Sequence, residues 1–342
     1  MTSDWNPPAG WRRITTIDAH TAGEPLRVIT GGLSPIPGDT ILAKRRFAME
    51  HLDQIRTALM WEPRGHADMY GCIVTEPVTS DGTIGILFLH NEGFSTMCGH
   101  GIIGIAKVAL DTGLIEMSGD DPIIRIDTPA GRVTAIAHRI NGRVREVSFE
   151  NVPSFVYALD QIVDVPGIGR VRYDIAFGGA FYAFCQAEEV GVGLSAGDFR
   201  QLIDAGKRIK HAIIDSATIN HPYEEDLSSL YGTIFVGAAL DPVNHSRNVC
   251  IFADGEVDRC PTGTGVSARA ALQYARGEIG LNEPFVVESI LGTTFSAEVV
   301  NSTTFGPFEA VIPRITGSAF ITGRNELLLD PDDPLEDGFL LR

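Results

Sequence analysis

The chain has 342 residues, 44% of them apolar, which is enough for two domains and a sizeable core. Its formal net charge of −17 argues against nucleic acid and anionic membrane surfaces as partners. No apolar run approaches the roughly 18 residues that a transmembrane helix needs. Any anionic small-molecule substrate would therefore need a locally positive site inside an acidic protein.

Met1 to Arg13 holds Pro7-Pro8 and two arginines but no apolar stretch, unlike a signal peptide. Residues 14–20 read as a first strand, with Thr21-Ala22-Gly23-Glu24-Pro25 as its turn and 26–30 as a second strand. A helix is expected over 40–58, with Asp39 as its N-cap. The polar loop 62–68 leads to strands at 69–76 and 84–89. Residues 123–152 alternate apolar and polar around Asn141-Gly142, a hairpin signal. The first half should end near Pro153, giving halves 1–153 and 154–342. Strands follow at 171–175 and 181–186, a helix at 196–211, and strands at 232–236 and 249–253. Residues 285–298 and 308–324 are strand-rich, and the acidic tail 330–337 should be exposed.

One stretch organises the rest. Phe88-Leu89-His90-Asn91-Glu92-Gly93-Phe94-Ser95-Thr96-Met97-Cys98-Gly99-His100-Gly101 runs from a strand through a polar turn into a Gly-rich loop. A helix-like segment follows that is apolar nearly all round, hence buried, and Gly113 stands at its C-cap. Cys98 should then sit at a helix N-terminus, where unpaired N–H groups lower a thiol pKa. The stretch is written twice. A shift of 164 residues aligns Phe88 with Phe252, Glu92 with Glu256, Gly99 with Gly263, Gly101 with Gly265, Ala106 with Ala270 and Gly113 with Gly277, without a gap. Two related halves would each offer a helix N-terminus to a shared site, a natural place for a carboxylate and for developing negative charge.

Of the five cysteines, Cys72, Cys185 and Cys250 lie in apolar strands and read as core thiols. The odd, scattered set points to a reduced, cytoplasmic protein. Cys98, among glycines, reads as catalytic. Cys98-x-His100 alone is too weak a pattern for a metal site, so no metal is expected. His20 and His66 read as turn residues, and Gly263-Thr264-Gly265 lacks the pattern of a nucleotide loop.

Met97-Cys98-Gly99-His100-Gly101 and Asp258-Arg259-Cys260-Pro261-Thr262-Gly263-Thr264-Gly265 resemble the paired signatures of the proline racemase family. That family includes racemases, hydroxyproline epimerases and trans-3-hydroxy-L-proline dehydratases. Residues 18–25, 64–69 and 177–182 resemble further family blocks. The resemblance implies an α/β (α+β) fold like that of diaminopimelate epimerase: two pseudo-symmetric halves, each a mixed sheet around a central helix, with the last strand returning to the first half. It also implies a homodimer.

Racemases and epimerases of the family carry a second Cys immediately before Gly-Thr-Gly. Here Thr262 holds that position, and Cys260 lies two residues earlier. A hydroxyl is too weak an acid or base for the second face of the α-carbon. The Cys98/Thr262 pair instead resembles the dehydratases. In trans-3-hydroxy-L-proline the α-hydrogen and the hydroxyl share one ring face, so one thiolate could remove the first and protonate the second. That chemistry needs no cofactor. Backbone donors at Gly99, His100, Gly263 and Thr264 would stabilise the carbanion-like transition state. The resemblance assigns Asp258 to the ring ammonium, His100 to the substrate beside Cys98, and Phe252 to the substrate-binding set. Two alternatives stay open: an epimerase or racemase using Cys260 as its second thiol, and a non-catalytic amino-acid binder.

Overall fold

The computed structural model describes residues 5–341. Eighteen strands are hydrogen-bonded into one continuous, barrel-like mixed sheet with helices inside and around it, an α+β fold. The helices are α1 (Ile41–His51), α2 (Asp53–Met60), α3 (Gly99–Asp111), α4 (Ala187–Val190), α5 (Phe199–Ser216) and α6 (Gly263–Ala275).

Pairing follows a sequence that recurs. Arg12–Thr21 pairs antiparallel with Glu24–Gly31, which pairs parallel with Tyr70–Thr75. That strand pairs antiparallel with Ile84–His90, which meets Ile123–Thr128 in parallel. In the same order, Gly169–Phe177 pairs antiparallel with Phe181–Gln186, and that strand pairs parallel with Leu230–Gly237. The latter pairs antiparallel with Ser246–Phe252, which meets Phe285–Glu288 in parallel. The final strand, Ala319–Leu329, lies antiparallel to the first. Asn141 and Gly142 both take positive φ (54° and 74°), so the expected hairpin turn is where its residue types permit it.

Two helices are enclosed by the sheet. α3 packs on Arg12–Thr21, Gly131–Ile140, Arg143–Glu150 and Ala319–Leu329, and α6 on Ser154–Val165, Gly169–Phe177 and Phe308–Gly317. Val133, Ala135 and Ala137 point inward by strand alternation. Ile102, Ile103, Ile105 and Val108 of α3 are fully buried, each worth about 1.5–3 kcal/mol relative to exposure. α6 carries more polar groups, and its buried Arg269 is satisfied by Asn248 Oδ1 at 2.7 Å.

Local differences from expectation have local causes. The N-cap of α1 is Thr40, not Asp39, because the Thr40 hydroxyl accepts the Ala43 N–H at 3.0 Å. The single helix expected over 40–58 breaks at Leu52 (φ −123°, ψ 11°) into α1 and α2. The helix expected from 196 starts as a 3₁₀ turn, Ala196–Asp198, held by a Ser195/Asp198 capping box, and runs on to Ser216. Ser154–Val165 is a strand with no counterpart among the expected elements; it forms a hairpin with Gly169–Phe177. The acidic tail 330–337 is exposed along most of its length, as expected, and is tied down where Arg64 reaches the Glu336 carbonyl at 3.0 Å.

Candidate active site

Each enclosed helix is reached by the same approach. Ile84–His90 runs through the core, turns at Asn91-Glu92, and Gly93–Ser95 leads back to Cys98. Ser246–Phe252 turns through Ala253–Gly255 (φ of Ala253 46°, of Gly255 103°) and Glu256–Val257 leads on to Asp258. α3 and α6 are both 13 residues long, with Cys98 and Thr262 at the N-caps. Their first residues touch. A Cβ on Gly99 would lie 2.6 Å from Gly263 Cα, and one on Gly263 would lie 2.8 Å from Gly99 Cα. Only glycine permits that approach.

At this junction lies a small, nearly closed cavity of about 20 Å³. Cys98, Gly99, His100, Phe252, Asp258, Thr262, Gly263 and Thr264, the residues singled out in the sequence, all line it. Met97 and three tyrosines complete it: Tyr70, Tyr182 and Tyr231. Cys260 is not on the lining, although its Sγ accepts the Thr262 N–H at 3.3 Å. The Tyr182 hydroxyl bonds Thr264 Oγ1 at 2.7 Å. Tyr182 stood inside a recognised block, whereas Tyr70 and Tyr231 carried no signal beyond their place beside a strand. A larger groove elsewhere, lined by Ile29, Ile36, Ile73, Ile105 and Leu114, has few convergent polar groups. Its Lys44 is already engaged by the Glu76 carbonyl at 2.7 Å.

The Cys98 thiol accepts the Gly101 N–H at 3.2 Å and lies 3.1 Å from His100 Nδ1. His100 Nε2 meets the Pro25 carbonyl at 3.2 Å, which assigns the ring proton to Nε2 and leaves Nδ1 to accept from sulfur. Burial lowers the His100 pKa to about 4, so the ring is neutral. The expected lowering of the Cys98 pKa is not what the site shows. Burial raises it well above 9.0, Asp258 and Glu24 add to that, and the Gly101 N–H opposes it without prevailing. The resting pair is thiol and neutral imidazole.

Thr262 departs from its counterpart. It takes φ 68°, rare for a β-branched residue, where Cys98 takes −148°. Its hydroxyl makes no capping bond and no hydrogen bond of normal geometry, although it faces the Cys250 thiol. Asp258 is buried, and its Oδ1 accepts the Cys260 N–H at 2.8 Å. Around it, Glu24 Oε2 accepts the Arg259 N–H at 2.7 Å, and Arg259 pairs with Asp68 at 3.0 Å. Burial, then Asp258, raise the Glu24 pKa well above 4.5, and its Oε1 has no partner. His20 Nδ1 accepts the Gly23 N–H at 3.2 Å and His66 contacts the Ala67 carbonyl, both as turn residues. Sequence spacing pointed to no metal ligands, yet the fold gathers His100, Asp258 and Cys260 into one group of ligand type. No helix of the described residues is long and apolar enough to cross a membrane.

Comparison with known proteins places this geometry. The family model described as proline racemase matches residues 16–340. A trans-3-hydroxy-L-proline dehydratase of Colwellia psychrerythraea is 48% identical over 341 residues, covering 99% of this chain and 96% of that one. The human protein of the same description is 44% identical over 335 residues, covering 96% and 95%. A hydroxyproline epimerase from Agrobacterium vitis, solved with bound trans-4-hydroxy-L-proline, superposes with a TM-score of 0.92 at 31% identity, covering 98% and 96%.

Proposed function

The chain belongs to the proline racemase family, and on that premise we propose that it is a hydro-lyase converting trans-3-hydroxy-L-proline to a pyrroline-2-carboxylate and water. One observation carries the reading: the helix caps that share the cavity are one thiol, Cys98, and one hydroxyl, Thr262, while Cys260 is off its lining. A single proton-transferring group serves one face of the α-carbon, which suffices for elimination and not for inversion.

The substrate carboxylate lies between the abutting helix N-termini, facing the N–H groups of Gly99, His100, Gly263 and Thr264. The ring ammonium lies against Asp258. Its positive charge offsets the carboxylates that raise the Cys98 pKa, so substrate itself favours the thiolate. The Cys98 thiolate takes the α-proton, and the Cα–H electron pair forms the ring double bond as the C3–O bond breaks. Cys98 then returns the proton to the departing hydroxyl as water. The enamine tautomerises to the 1-pyrroline. Phe252 and the tyrosines exclude solvent, and Thr262 lines the cavity from the second helix.

The reading extends to the whole chain. It divides into related halves, 1–153 and 154–342, each a mixed sheet around a central helix, with the last strand returning to the first half. The recurring order of pairings and the 13-residue length of both α3 and α6 support this. Five free, buried cysteines and a charge of −17 fit a cytoplasmic enzyme without a nucleic-acid partner; its assembly as a homodimer rests on the family resemblance alone.

Separate incubations with trans-3-hydroxy-L-proline, trans-4-hydroxy-L-proline and L-proline test it, with α-proton exchange followed in heavy water. Only the first should be consumed, giving pyrroline. Cys260→Ser should leave dehydration nearly intact, and Thr262→Cys should introduce α-proton exchange on L-proline. Efficient inversion of 4-hydroxyproline or proline by the wild type, abolished by Cys260→Ser, would make the protein an epimerase or racemase instead.

A further inference from the structure

The elimination does not use Cys260, yet its sulfur converges with two other donors beside the cavity. A ring nitrogen of His100, a carboxylate oxygen of Asp258 and the Cys260 sulfur lie within 4.8 Å of one another, and all three residues are buried. We propose that these three side chains bind a zinc ion, which occupies the ammonium site and blocks the substrate.

The donor set selects the metal. Imidazole, thiolate and carboxylate are zinc ligands, whereas magnesium and calcium require oxygen cages. Each donor is already oriented by a backbone group, as ligands in built sites are. Cys260 Sγ accepts the Thr262 N–H at 3.3 Å, and Asp258 Oδ1 accepts the Cys260 N–H at 2.8 Å. His100 Nε2 meets the Pro25 carbonyl at 3.2 Å, leaving the Nδ1 lone pair for a metal. His100 and Asp258 reach the ion from the cavity wall, which gives an entry path, and Cys260 lies behind them. A water molecule completes four-coordination. Binding breaks the Cys260 S–H bond, forms S–Zn and releases one proton to solvent, so affinity climbs with pH. The inhibition rests on the role given to Asp258 above; the site itself does not.

Zinc chloride titrated into the full chain against a chromophoric chelator should show one ion per chain, displaced by pyrrole-2-carboxylate and not by magnesium chloride. Cys260→Ser should weaken zinc about tenfold or more while dehydration persists, and Asp258→Asn should weaken it too. Cobalt(II) in the same site should show a thiolate charge-transfer band that Cys260→Ser removes. Absence of saturable binding, or binding that neither substitution weakens, overturns the proposal. Stoichiometric, Cys260-dependent binding without inhibition upholds the site and overturns the ammonium role of Asp258.

Discussion

Cys98 meets two opposed demands. It must be desolvated to share a closed cavity with a proline-sized ring, and desolvation penalises the thiolate that the reaction needs. Cys98→Ser keeps the shape and removes the acidity. Turnover should fall by about 10²–10⁴-fold, the usual worth of a positioned acid–base group, with the melting temperature nearly unchanged. Activity retained at more than a few per cent would remove Cys98 from the mechanism. Glu24 shows the same physics as stability. Its pKa is raised in the folded state, so the fold prefers the protonated form, and stability is lost as pH climbs above 4.5 towards the raised value. Glu24→Gln keeps an oxygen for the Arg259 N–H and has no proton to lose. Its melting temperature should therefore exceed that of the wild type by a margin that widens as pH climbs above 4.5; a constant margin would show that Glu24 is ionised in the fold. At this scale the sequence was legible wherever a side chain had a fixed spacing from a glycine: the repeat pairs Cys98 with Thr262, and the family resemblance singled out Asp258. Tyr70 and Tyr231 were not, because their part in the site comes from strands brought together only by folding.

α3 could be read from its all-round apolar surface and α6 as its copy in the repeat, each with a glycine just past its end, Gly113 and Gly277, at positive φ (75° and 70°). What the repeat does not contain is the asymmetry between their caps. Thr262 takes φ 68° where Cys98 takes −148°, although the two loops align residue for residue. The contact of Gly99 with Gly263 is also a property of the assembled elements. Gly99→Ala should force the helix ends apart, costing about 1–3 kcal/mol by overpacking. Turnover should fall more steeply than stability does, because the donors of both helices move together. Denaturant unfolding and steady-state kinetics on one preparation check this; a fully active Gly99→Ala would show that the junction tolerates displacement.

At the scale of the whole molecule, local signals found most strands but not their neighbours. Residues 12 and 329 pair although they lie at opposite ends of the chain, and nothing in either strand's alternation names its partner. The strand Ser154–Val165 escaped for a related reason: its middle is exposed, so the alternation that marks a half-buried strand is missing. The family resemblance supplied the arrangement that periodicity could not.

The Gly99–Gly263 contact has a thermodynamic consequence. Each helix N-terminus carries about half a positive charge, and the contact sets two such ends against each other. The two ends repel, and a bound carboxylate acts as a keystone, turning a repulsion into two attractions. Ligand affinity and fold stability then share one origin. Pyrrole-2-carboxylate should raise the melting temperature, adding about 1.4 kcal/mol for each tenfold excess over its dissociation constant. The uncharged pyrrole-2-carboxamide, of the same size, should raise it far less; equal stabilisation by the two would mean that shape alone, not the opposed helix ends, holds the ligand.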